Sequence, residues 1–463
     1  MTKNFPRVVE MVKPAKLVER RTHFIPGKLR VTEHFFEVPR DHASPERGTL
    51  RLFARSVRKA TRPIDPSDEK HERLPWMLYL QGGPGFGCAA PQLTPWTETV
   101  LDKGYELLHL DARGVGLSSP LSASVLGLRG DEEVQTNYLK SFGAVDIVRD
   151  CEAIRLALMD GYPPDNQKWS LMGQSFGGFC TVTYLSMFPS SLRECFLLGG
   201  LPPIGKHPDV VYERLYNRVL TRNEKYYAKY PEDVDRVKQV TSHLVRFGNN
   251  TVRLPSGGSL TARRFLQLGI NFGGTGGFDV VHDLVLRATG DLSNFGHLTR
   301  PTLSSIESQQ AWDDNIIYAI LHESIYCEGV ASNWSAQRIR DRRAEFNLDK
   351  DGPLYFTGEM IYPWMLEDYA ELRKLSGPAN ALAKFPGWGT LYSPDQLAKN
   401  EVPVYAAVYM DDMYVDFDLA RETSSMIRGC KVFITNTMYH DALRSKTADV
   451  LKALFALRED EMD

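Results

Sequence analysis

Residues 171–180, LMGQSFGGFC, set one serine between glycines at the end of an apolar run. Such a turn carries a strand into a helix, and it is also the elbow on which a nucleophile is held. Gly173 and Gly177 supply the clearance that a serine in a poorly populated backbone conformation needs. The helix that follows aims unsatisfied N–H groups back at the hydroxyl. The chemistry on offer is acyl transfer through Ser175, with the N–H of Phe176 facing an oxyanion. A serine hydroxyl is a weak nucleophile without a base. In a sheet of this kind the acid and the base follow the serine along the chain, each at a strand end. Of eleven histidines, His440 alone lies beyond Glu323, four residues past the apolar run KVFITN (431–436). The acid should follow the strand before that, where VPVYAAVYMDDMYV places Asp411 and Asp412. Either carboxylate would fix the imidazole tautomer and stabilise the imidazolium, and the other would begin a turn or cap the next helix. QGGPG (81–85) ends an earlier apolar run and offers Gly82 or Gly83 as a second oxyanion donor. Pro84 has no N–H and stiffens that loop.

The elements that must position these groups are legible as short apolar runs ending in glycine-rich or polar turns. PWMLYLQ (75–81), YELLHLD (105–111), KWSLMG (168–173) and ECFLLGG (194–200) are four such runs, with helix-like stretches near 144–159 and 176–188. Short, doubly buried strands alternating with helices predict a parallel α/β sheet, whose strand C-termini are where chemistry collects. Two earlier runs, 33–42 and 48–59, read as antiparallel strands, followed by a polar loop over 61–75. After residue 205 the pattern breaks into mostly helical, aromatic-rich sequence. It returns at 402–409, with a helix at 417–428, a strand at 431–436 and a last helix at 441–457. The expected layout is one α/β core, residues 1–205 and 395–463, split by a helical insertion over 206–394. The glycine run NFGGTGGF (271–278) lacks the G-K-[ST] ending of a phosphate loop and follows no clear strand, so it reads as a tightly turning loop.

The bulk numbers exclude several classes. At 463 residues the chain has ample material for a buried core. Its 43% hydrophobic and 24% charged content is that of an ordinary globular protein. A net charge of −3 gives no reason to expect nucleic acid as a partner. No apolar window is long enough for a membrane span, and the charged N-terminus does not resemble a secretory signal. Six scattered cysteines with no C-x-x-C pair argue against a zinc or redox motif and suit free thiols in a reducing compartment. The expected location is the cytoplasm, where the sequons at Asn249 and Asn333 have no role. No metal or organic cofactor is needed.

Taken together, QGGPGFG, DARGVGLSSP, GQSFGGF and LHESIYCEGVASNW resemble the prolyl aminopeptidases, or proline iminopeptidases, of the α/β-hydrolase fold. The likeness is closest to the larger, extended-cap members and runs from about residue 30 to the end. It implies a mostly parallel sheet with a large helical cap inserted, and a Ser-His-Asp triad of Ser175, His440 and Asp412. It places Gly82 and Gly83 in the oxyanion loop. Gln81 departs from the usual histidine before G-G-P-G, and Phe176 stands where tryptophan often follows the serine. Asp111 and Arg113 of DARGVG are expected to pair across their turn and brace the strand end.

The implied activity is release of an N-terminal residue, preferentially proline, from peptides with a free N-terminus. A buried ammonium needs carboxylates, and the insertion offers Glu323 and Glu359 among aromatics. The resemblance makes Glu323 the first candidate for the α-amine and Glu359 the second. Tyr326 and Trp334, with Trp364, are the aromatics available to wall a flat pocket. The alternatives are an esterase or amidase with the same triad, or an aminopeptidase of broader specificity. The sequence leaves the strictness for proline and any homo-oligomer open.

Overall fold

The architecture comes from a computed structural model, which describes residues 12–60, 73–246 and 251–460. The sequon at Asn249, most of the loop expected over 61–75 and the first eleven residues lie outside the described residues. Nine strands form one sheet: β1 (Lys16–Ile25), β2 (Leu29–Pro39), β3 (Thr49–Lys59), β4 (Trp76–Leu80), β5 (Glu106–Asp111), β6 (Trp169–Gln174), β7 (Leu192–Leu198), β8 (Val404–Tyr409) and β9 (Cys430–Thr435). Their order is β1-β2-β3-β5-β4-β6-β7-β8-β9. From β5 to β9 every pairing is parallel, and β1, β2 and β3 join antiparallel at one edge.

The central strands are mostly apolar because both of their faces are covered. On β4, Leu78 packs with one buried cluster while Met77 and Tyr79 pack with the other. Leu171 and Met172 of β6, and Leu197 and Phe196 of β7, divide in the same way. Each fully buried Leu, Met or Phe contributes roughly 1.5–3 kcal/mol. One face is covered by α1 (Ala144–Leu158) and α2 (Phe176–Met187), the helix leaving the serine turn.

Between β7 and β8 the described residues form only helices, apart from one isolated bridge at Arg253 and Ser259. The longest are α3 (Pro208–Lys229) and α4 (Gly277–Phe295), with α5 (Ile316–Leu321) and α6 (Ser335–Arg340) among the shorter ones. On α3, Tyr212, Tyr216, Val219, Asn223 and Tyr226 are buried at helical spacing, which lays one face of the helix against the interior. After β8 come α7 (Phe417–Met426), β9 and α8 (Thr447–Glu459), and α8 covers the second face, with Phe455 ring-to-ring at 5.0 Å from Phe196. A short helix, Ala442–Ser445, precedes α8, so the stretch expected as one last helix is two.

The strand β1 was not visible in the sequence. KLVERRTHFI is exposed along nearly its whole length, so it has no apolar alternation. It is ordered by its ladder to β2, and its charged side chains blunt a free sheet edge.

Candidate active site

The serine turn has the conformation its glycines imply. Ser175 has φ 54° and ψ −125°, a region that side chains rarely adopt and that costs of order 1–3 kcal/mol. It is held there by its own N–H donating to the Leu198 carbonyl (3.0 Å) and its carbonyl accepting from Gly178 N (2.7 Å). Gly177 is where α2 crosses the end of β4. A Cβ there would lie 1.9 Å from the Leu80 carbonyl oxygen, so only glycine fits.

His440 and Asp412 meet beside this turn. His440 Nδ1 lies 2.8 Å from Asp412 Oδ2, and both residues are buried. The other carboxylate oxygen, Oδ1, accepts from the N–H groups of Tyr414 (2.8 Å) and Val415 (3.1 Å), which fixes its orientation. The adjacent Asp411 points elsewhere and pairs with Lys225 at 3.0 Å. Gly199, directly after β7, has φ 53°, and a Cβ there would lie 3.1 Å from His440 Nδ1 and 3.4 Å from Asp412 Oδ2. The strand end therefore abuts the imidazole–carboxylate pair on one side and, through Leu198, holds Ser175 on the other. The ring of Tyr414 packs edge-on against His440 at 4.8 Å, and its hydroxyl donates to the Ile270 carbonyl. Burial alone would lower the pKa of His440. The charge and hydrogen bond of Asp412, with the charge of Glu359 behind it, offset that and hold it above the ordinary imidazole value.

The glycine loop lies against the serine. A Cβ on Gly82 would be 2.9 Å from Ser175 Cβ. Gly83 follows in the same loop, and Phe176, buried, opens α2 as one of the N-terminal residues whose N–H has no intrahelical partner. Gln81 accepts from the Tyr79 hydroxyl at 2.8 Å.

Over this floor sits Glu359. Its carboxyl accepts from the Tyr318 hydroxyl at 2.5 Å, and its second oxygen is 3.9 Å from His322 Nε2. Among the described residues no lysine or arginine forms an ion pair with it. Burial pushes its pKa up to about 7, against the opposing influence of His440 and the Tyr318 hydrogen bond, with the Asp412 charge adding to the rise. Tyr318 stacks on Trp312 at 4.5 Å and lies edge-on to Phe86 of the glycine loop at 4.7 Å. Glu359 is thus a largely buried carboxyl whose charged form is disfavoured, without a lysine or arginine partner among the described residues, and its charge acts on the His440 imidazole.

Glu323 is placed differently. It is buried, and its two oxygens accept from the N–H groups of Ser335 (3.1 Å) and Ala336 (2.9 Å) at the start of α6. Burial raises its pKa, against those backbone bonds. Tyr326 is buried between Phe179, Tyr212 and His322, with ring separations of 6.2, 5.9 and 6.2 Å. Trp334 stands at the N-terminus of α6 and donates to Asn380 Oδ1 at 3.0 Å. An apolar cavity of about 400 Å³ opens between the glycine loop, α1 and the helical segment, lined among others by Pro84, Phe142, Phe176, Ile325, Trp388 and Leu391.

The pairing expected between Asp111 and Arg113 is replaced by two separate braces. Arg113 makes a bidentate contact with Asp150 (2.6 and 2.7 Å) and also donates to the carbonyls of Arg40 and Ser141. Stranding either member of such a buried pair costs about 3–5 kcal/mol. Asp111 accepts from the N–H groups of Cys88 (2.7 Å) and Leu117 (2.9 Å). The two side chains diverge because a carboxylate with two backbone donors, one in its own turn and one from the loop after β4, has no call on the guanidinium. The glycine run 271–278 packs beside the site, where Thr275 donates to Asp441, the neighbour of His440.

Sequence reasoning missed Tyr318, His322, Tyr414 and Gly199. Tyr318 and His322 share the aromatic segment that carries Glu323. Gly199 follows the strand next to the serine strand. Both were signals of position, though not of contact.

Residues 75–247 match the family described as alpha/beta hydrolase fold. The proline iminopeptidase aneH of Aspergillus aculeatus is 47% identical over 457 residues, covering 98% of this chain and 100% of that protein. The chain belongs to the proline iminopeptidase family. A second member, the proline iminopeptidase of Aeromonas sobria, is 40% identical over 441 residues, 95% of this chain and 99% of its own. Both matches run through the helical segment as well as the sheet, so membership of the proline iminopeptidase family extends to the part of the chain that carries Glu359. The fold is that of the α/β hydrolases, and the chain is a hydrolase of that family. No helix among the described residues is long and apolar enough to cross a membrane.

Proposed function

We propose that this chain is a serine aminopeptidase that releases an N-terminal proline from peptides, with Ser175, His440 and Asp412 as the triad. The observation that carries the reading is Glu359: a carboxyl whose side chain is 13% exposed, with no lysine or arginine partner among the described residues and with its charge acting on the His440 imidazole, in a chain whose relatives are named proline iminopeptidases. A protonated α-amine is the counter-charge this carboxyl lacks. Bound there, it would draw Glu359 into its ionised form and fix the first residue of the peptide over Ser175.

The His440–Asp412 hydrogen bond supports the following steps. Asp412 accepts a hydrogen bond from the Nδ1–H of His440, which keeps that proton on Nδ1 and leaves Nε2 as the base. His440 accepts the Ser175 proton as Oγ attacks the carbonyl of the first residue. The negative oxygen forms against the N–H of Phe176 and that of Gly82 or Gly83. His440 then protonates the departing amine, and water, activated by the same imidazole, releases proline from the acyl-enzyme. The apolar cavity bordered by Pro84 and Phe176 receives the leaving side of the substrate. Residues 206–394 act as the cap that excludes water from this chamber. Glu323 serves the amine indirectly in this reading, by fixing the start of α6, and Tyr326 walls the chamber. Six free thiols support a cytoplasmic setting.

A panel of aminoacyl 2-naphthylamides, run beside p-nitrophenyl butyrate, tests the assignment. Pro-2-naphthylamide is expected to show the highest kcat/KM. An esterase reading would be favoured instead by faster turnover of the butyrate with no preference among the amides.

A further inference from the structure

His322 is 1% exposed, and neither of its ring nitrogens has a hydrogen-bond partner among the described residues. That is costly: a buried polar group left unpaired loses about 1–3 kcal/mol. The ring is held edge-on to both Tyr318 (5.4 Å) and Tyr326 (6.2 Å), so its direction is set by packing. Nε2 faces Glu359 Oε2 across 3.9 Å, too far for a hydrogen bond between them. Burial keeps the imidazole neutral, with its pKa down to about 3, so one ring nitrogen is an acceptor. Two acceptors at that separation are spanned by a single nitrogen donating to each at about 2.8–2.9 Å.

We infer that His322 is a second recognition residue for the substrate amine, its Nε2 and the Glu359 carboxylate together accepting the two N–H groups of an N-terminal prolyl ammonium. This rests on the aminopeptidase reading above and extends it to a residue that neither the motifs nor the triad geometry identifies. A prolyl amine is secondary and, when protonated, has two hydrogens on nitrogen. Glu359 takes one as a charged partner and His322 takes the other with the proton of its own ring on Nδ1. Binding then satisfies both the ammonium and an imidazole nitrogen that is unpaired in the free protein. The Tyr318 hydroxyl remains on the other Glu359 oxygen and keeps the carboxylate turned toward the gap.

The test compares His322→Phe, which keeps a flat ring between Tyr318 and Tyr326, with His322→Gln, which restores an amide acceptor. In His322→Phe the KM for Pro-2-naphthylamide is expected to rise about 10–100-fold, the range for losing one hydrogen bond to a charged group. The rate on p-nitrophenyl butyrate, which has no amine, should stay within about 2-fold. Thermal stability should not fall, because unpaired buried nitrogens are removed. His322→Gln should recover part of the KM. An unchanged KM in a folded His322→Phe protein overturns the inference. So does loss of activity on both substrates with a lowered Tm, which marks a packing role, and so does a His322→Gln KM no better than that of the phenylalanine variant. Glu359→Gln separates this from the parent reading. A raised KM there beside an unchanged one in His322→Phe sinks only the role of His322, whereas a wild-type protein inert on prolyl amides sinks the aminopeptidase reading itself.

Discussion

Replacing Ser175 by alanine is expected to lower kcat on Pro-2-naphthylamide by about 10⁵-fold or more while leaving the fold intact. The side chain is a small hydroxyl on a residue that is 8% exposed. The strained backbone is held by bonds of its main chain to Leu198, Gly178 and Phe179, all of which alanine retains. Stability should therefore shift by less than about 1 kcal/mol in a denaturant titration. Steady-state assay of the purified variant settles the point. Turnover near the wild-type level would place the nucleophile elsewhere.

Asp412→Asn should reduce kcat by about 10⁴-fold, and the geometry says why. The Oδ1 position accepts from two backbone N–H groups, so the asparagine would keep its carbonyl oxygen there and turn its NH₂ toward His440 Nδ1. That nitrogen must then accept, which forces the ring proton onto Nε2 and removes the lone pair that the serine needs. The pH profile adds a sign. In the wild type, Asp412 helps to hold the His440 pKa above 6.5, so kcat/KM should rise with pH through a midpoint above that value. With the charge gone, burial dominates and the residual activity should have its acid limb at lower pH. A pH-independent loss of the same size, with the midpoint unmoved, would show that Asp412 does not couple to the base.

The parts of the fold legible in the sequence are those where local pattern and tertiary setting agree. The runs at 75–81, 105–111, 168–173 and 402–409 read as strands because burial on both faces leaves mostly apolar residues, and each ends in a turn with its own glycine or polar signature. The strand β1 was hidden because its order comes from pairing with β2 and its side chains meet water. At the proposed site, turn chemistry and chain order pointed to Ser175, directly after β6, to Asp412, three residues after β8, and to His440, five residues after β9. The direction of a cap carboxylate could not. Glu323 and Glu359 sit in equally aromatic sequence, yet one is turned onto the helix N-terminus at Ser335 and Ala336, while the other takes the Tyr318 hydroxyl beside His322. That difference is decided by how α6 and the 354–365 segment pack, which no spacing records. Asp111 and Arg113 failed for a related reason: their distant partners, Cys88 N–H and Asp150, belong to a loop and a helix whose approach is tertiary.

The central claim is that a largely buried acid seat selects a free amine and delivers the neighbouring carbonyl to a serine nucleophile. The measurement that bears on it most directly is the ratio of kcat/KM for Pro-2-naphthylamide to that for its N-acetyl derivative. A blocked nitrogen carries no charge and no spare hydrogen for Glu359, so the ratio should exceed about 10³, the scale of losing charged hydrogen bonds and stranding a buried carboxyl. A ratio near one would contradict the account, since a chamber indifferent to the amine would be that of a general amidase.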